Sequence, residues 1–169
     1  MVTTSSAARL CQDGTRYTRL QVGMHWAVVL LLVEQWYTSQ AIPRTHNPLL
    51  PASDTDLFLH AVHNYAGLLI GALMLMRIGL RFLQPVPQLP QAADWRERVA
   101  QAVHWGLYLS LLGQVAAGFV TAYLWAPAGR IHVFLWNVTL VLVGLHVAAA
   151  LYHAVRQDDV IRRMFPWMR

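Results

Sequence analysis

Along the chain, apolar residues run in four long blocks separated by short polar or proline-bearing links. The blocks span about 20–41, 57–83, 99–124 and 131–155. Each exceeds the roughly 20 residues a helix needs to cross hydrocarbon. A barrel would instead need many short alternating strands, so helices are the expected elements. Pro43 closes the first block, the run Pro85-Val86-Pro87-Gln88-Leu89-Pro90 the second, and Ala126-Pro127-Ala128-Gly129 the third. Residues 1–16 are polar and without periodicity, and are expected to form a flexible cytoplasmic tail. No short apolar core with a small-residue cleavage site precedes Leu20, so this stretch does not look like a signal peptide. The expected fold is an all-α membrane protein, a four-transmembrane-helix bundle formed as one domain over 17–169.

Composition strengthens this picture. Of the 169 residues, 56% are hydrophobic and only 12% are charged, about half the charged share of a soluble domain. Seven tryptophans suit a protein with two membrane interfaces. All the basic residues are arginines, and they flank the apolar blocks rather than forming one patch, so no nucleic-acid partner is expected. With four crossings, Arg9, Arg16, Arg19, Arg77, Arg81, Arg96, Arg98, Arg156, Arg162, Arg163 and Arg169 share one side, and Arg44 and Arg130 the other. The positive-inside rule then puts both termini in the cytoplasm. The single cysteine, Cys11, cannot build a disulfide within the chain or a sulfur-ligated cluster.

The candidate chemistry lies in eight histidines. His132 and His146 are 14 positions apart on the fourth block, roughly 21 Å of helix. His25, His146 and His104 or His153 fall in an inner layer; His63, His132 and His60 fall in an outer one, with His46 in the first outer loop. Two facing helices can offer one imidazole to each side of a heme, and two such layers would make an electron path across the bilayer. Histidines bonded between helices, proton relay and a zinc site are the competing readings. The absence of a CxxCH motif makes any heme non-covalent, of b type.

Several stretches resemble the bacterial cytochrome b561 family. They are Arg16-Tyr17-Thr18-Arg19-Leu20-Gln21 with Met24-His25-Trp26, then His63-Asn64-Tyr65-Ala66-Gly67 with Arg77-Ile78-Gly79-Leu80-Arg81. Ala102-Val103-His104-Trp105-Gly106-Leu107-Tyr108 and Gly144-Leu145-His146 through His153 continue the likeness, which ends at Asp159 to Pro166. The resemblance implies an inner-membrane, di-heme b cytochrome, similar in some members to superoxide oxidase, which reduces ubiquinone. Other members relay electrons between a redox partner and the quinone pool. By the same resemblance the axial ligands are His25 with His146 and His63 with His132, with His60 the substitute should His132 be displaced by the short link before it. A heme-free proton or metal transporter is the rival class. Arg130, Arg44 and Glu34 are candidates for catalysis: the arginines as attractors of superoxide, the carboxyl as a proton relay. His153, His104, Trp26, Trp105, Arg77 and Arg81 are candidates for a quinone site at the inner end.

Overall fold

The computed structural model describes residues 18–83 and 95–156. The expected N-terminal tail, the proline-rich link and the C-terminal end of the family resemblance lie outside the described residues. Within them every regular element is helical: α1 (Arg19–Thr38), the short α2 (Ala41–Thr45), α3 (Asp54–Leu83), α4 (Trp95–Tyr123), a 3-10 turn (Ala126–Ala128) and α5 (Gly129–Val155).

The boundaries follow local chemistry. Thr18 caps α1 in a reciprocal box: its hydroxyl accepts from the Gln21 backbone N–H at 3.3 Å, and Gln21 Oε1 accepts from the Thr18 N–H at 3.0 Å. α1 stops at Thr38, before Pro43, and the proline instead sits in the one-turn α2, where first-turn N–H groups need no partner. α3 begins at Asp54, ahead of the apolar block, because Ser53 accepts from the Asp56 N–H at 3.1 Å and donates to Asp56 Oδ2 at 2.8 Å. α4 likewise starts at Trp95, with its polar first turn outside the apolar block. The link before α5 is a tight 3-10 turn around Pro127, so α4 and α5 form a helical hairpin and pack most closely together.

Among the described residues, three stretches are long and apolar enough to cross a membrane: Asp54–Leu83, Arg98–Tyr123 and Ala126–Val155. α1 is not among them, because Gln21, His25, Glu34 and Gln35 dilute its apolar content. Large apolar side chains point outward along the helices, including Trp36 at 59% exposure and Phe134 at 63%. Such a surface is suited to lipid rather than water.

The small interior joins α1, α3 and α4 through Val28, Ile70, Met74 and Leu111. Gly71 on α3 sets the closest approach there: a Cβ at this position would lie 2.8 Å from Val115 Cγ1. Val115 is β-branched and has little rotamer freedom on a helix. Gly71→Ala is therefore expected to destabilise the bundle by about 1–3 kcal/mol. Thermal loss of helical circular dichroism in detergent measures it, and a second change, Val115→Ala, should restore most of the loss.

Candidate functional site

At one end of the bundle, α3 presents His63 and α5 presents His132, their ring centres 6.3 Å apart and their planes at 76°. The surrounding hydrogen bonds fix the proton on each ring. Thr38 donates its single hydroxyl hydrogen to the Glu34 carbonyl at 2.9 Å, so it can only accept from His63 Nδ1, 3.1 Å away. His132 Nδ1 faces the Gln114 carbonyl at 2.9 Å, which also only accepts. Both rings are thus held as Nδ1–H tautomers, with the Nε2 lone pairs free.

The backbone makes these contacts possible. In a helix the Gln114 carbonyl is shielded by the side chain one turn on, and that residue is Gly118. A Cβ there would stand 3.1 Å from both Cε1 and Nδ1 of His132. Glycine at 118 is what lets an imidazole from α5 reach α4's backbone. Gln35, buried on α1, donates from Nε2 to the His63 carbonyl at 2.8 Å and to Glu34 Oε2 at 3.1 Å. Thr139, also buried, lies 3.2 Å from Gln114 Oε1. Thr38, Gln35, Gln114 and Gly118 were not singled out as site residues from sequence. The two amides offered a signal, being polar groups inside apolar helices, and Gly118 offered one as a small residue that permits close approach; the threonine offered none.

At the other end, His25 of α1 and His146 of α5 have ring centres 6.1 Å apart, with planes at 66°. His104 of α4 joins them, 5.0 Å from His146, and its Nδ1–H donates to the Ala100 carbonyl at 2.7 Å. Arg77 lies within electrostatic reach of all three and donates from Nη1 to the Gln21 carbonyl at 3.3 Å. The Arg81 guanidinium stands over the Trp105 ring at 5.4 Å. Trp26 touches the His25 ring edge-on at 5.8 Å. His153 stands on the same helix as His146, beside Tyr152.

An imidazole nitrogen lies about 2 Å from a first-row metal and about 1.1 Å from its own ring centre, so two imidazoles opposed across one iron have centres about 6.2 Å apart. The 6.1 Å and 6.3 Å pairs match that spacing. Among the described residues, no group of three or more His, Cys, Asp or Glu side chains is placed to hold a metal ion. Imidazole pairs at this wider spacing suit a macrocycle that brings its own equatorial ligands; a tetrahedral ion would set two rings about 5.1 Å apart.

The remaining candidates separate. His60 is not at the His63–His132 pair; it faces His46 at 5.1 Å. Arg44 pairs with Asp56 at 2.7 Å, which offsets its charge. Arg130 is exposed. Glu34 keeps one carboxyl oxygen, Oε1, buried without a hydrogen-bond partner among the described residues.

A helical membrane bundle with imidazole pairs at its two ends is the frame of a membrane electron carrier. The chain belongs to the prokaryotic cytochrome b561 family, whose model matches residues 16–167. It is 27% identical over 181 residues to a probable superoxide oxidase CybB of Yersinia pestis, covering 91% of this chain and 98% of that protein. It is 30% identical over 154 residues to a cytochrome b562 of Cereibacter sphaeroides, covering 88% and 94% respectively. The protein is thus a membrane b-type cytochrome, associated with the lipid bilayer and active in electron transfer.

Proposed function

We propose that this protein is a di-heme cytochrome of the bacterial inner membrane that oxidises superoxide at its outer face and reduces ubiquinone. The observation that carries this reading is the pair of opposed imidazole sets, His25 with His146 and His63 with His132, at two levels of one bundle. α1 serves as the fourth span: its 20 residues cover about 30 Å, the thickness of the hydrocarbon. Both termini then lie in the cytoplasm, with the His63–His132 pair toward the outside.

Each heme, when bound, supplies a one-electron couple at its iron. The chain's part is placement and electrostatics. Nε2 of His25, His146, His63 and His132 would hold the heme irons. Thr38 and the Gln114 carbonyl hold the outer two rings in the donor tautomer, and an acceptor on Nδ1–H raises the basicity of the ligating nitrogen. Exposed Arg130 draws the superoxide anion toward the outer end. Two superoxide anions each give up one electron and leave as dioxygen; ubiquinone takes both electrons and two protons to become the quinol. Arg77, Arg81, His104, Trp26 and Trp105 gather at the His25–His146 end, with His153 two turns further along α5, and there imidazoles can pass protons to a quinone and indoles can stack on its ring.

The relative named cytochrome b562 supports a second reading, an electron-transfer subunit relaying electrons between a redox partner and quinone. Superoxide-driven quinone reduction by the purified holoprotein alone distinguishes the two. Turnover sensitive to superoxide dismutase is expected; intact b-type bands without turnover would favour the relay. A dithionite-reduced spectrum lacking b-type bands would instead support heme-free proton or metal transport.

A further inference from the structure

His46 and His60 take no part in the two opposed pairs. His46 is the residue that ends α2, and His60 lies in the second turn of α3. Their ring centres are 5.1 Å apart with planes at 44°. One hydroxyl organises both. Thr45 donates its hydrogen to the Ile42 carbonyl at 3.0 Å, so its oxygen accepts from His60 Nδ1 at 2.8 Å. His46 Nδ1 donates to the same Ile42 carbonyl at 2.9 Å. Neither ring has its Nε2 committed by these bonds, and His46 is exposed, so water can complete a coordination shell.

The ring separation selects the geometry. With metal-to-centre distances of about 3.1 Å, two imidazoles stand about 6.2 Å apart when opposed, about 4.4 Å at a right angle and about 5.1 Å at the tetrahedral angle. The observed 5.1 Å equals the separation a tetrahedral ion would set between two rings whose Nε2 atoms turn to it, the geometry zinc prefers. His104 and His146 are similarly spaced, but Arg77 and Arg81 act on His104, and their charge opposes a cation. At the His46–His60 site the neighbouring arginine, Arg44, is neutralised by Asp56. Asp56 shares a helix face with His60, but Arg44 and Ser53 hold its carboxylate, which leaves the two imidazoles and water as ligands.

We infer that His46 and His60 bind a zinc ion at the end of the bundle that carries the His63–His132 pair. The test is zinc titration of the chelator-treated holoprotein in detergent at neutral pH, with metal and heme counted per chain. One zinc per chain is expected. His46→Ala and His60→Ala should each weaken binding by at least about tenfold, and Thr45→Val by about tenfold, since loss of a ligand's hydrogen-bond partner alone costs about 10–100-fold in affinity. Heme content should stay unchanged in all three. No zinc bound by the unaltered protein, or binding indifferent to both histidine changes, overturns the assignment. So does loss of heme in His60→Ala, which would make His60 an iron ligand instead.

Discussion

Replacing His132 with alanine is expected to lower the heme content of the purified protein by about half, with the remaining heme still six-coordinate and low-spin in its spectrum. Replacing His60 should leave the content unchanged. The two histidines compete for the same role in the sequence, since both fall in the layer expected at the outer face. Their surroundings separate them. His132 stands 6.3 Å from His63 with Nδ1 bound to a carbonyl, whereas His60 is turned toward Thr45 and His46. The gap at Gly118 makes the same point from the backbone, because the His132 ring fills it. A pyridine hemochrome assay normalised to protein checks the prediction. Heme loss in His60→Ala with retention in His132→Ala would reverse the ligand assignment.

The double change His25→Ala with His146→Ala should remove the other heme and spare the one at the His63–His132 end. His104→Ala is the informative control. His104 is closer to His146 than His25 is, 5.0 Å against 6.1 Å. Proximity alone would therefore choose the wrong partner. The 5.0 Å separation is too short for two imidazoles opposed across one iron, which need about 6.2 Å. Heme retention is thus expected in His104→Ala, with an effect confined to the rate of quinone reduction. Redox titration of each variant, read at the b-type bands, separates loss of a heme from a change in its potential.

The long helices were legible because each apolar block is far longer than a soluble helix needs and is closed by proline or a polar run. Their ends were less so. The Ser53–Asp56 cap and the Thr18–Gln21 box are side-chain bonds, which extend or fix a helix without adding hydrophobicity. The α2 turn was hidden because Pro43 reads as a stop, although a proline is tolerated in a first turn. Depth along each helix could place His25 and His146 with His104 or His153 in one layer, and His63 and His132 with His60 in the other; which two pair within a layer was implied only by the family resemblance. Depth cannot reveal rotation about a helix axis, and so could not say that His60 turns away from the pair or that Arg44 is tied to Asp56. The carbonyl of Gln114 was invisible for another reason: backbone groups have no letter in a sequence, and only the missing side chain at Gly118 exposes this one.

His132 and His146 both come off α5, a helix running from Gly129 to Val155 without a break. Their spacing is a covalent length, fourteen residues of one rod, or about 21 Å. Bilayers that are thicker or thinner act on a helix by tilting it, and tilting leaves distances along its axis alone. In the proposed di-heme arrangement, the gap an electron would tunnel is thereby insulated from the lipid, and from any breathing of the other helices against α5. On that proposal, one intrinsic transfer rate is expected in bilayers of different thickness.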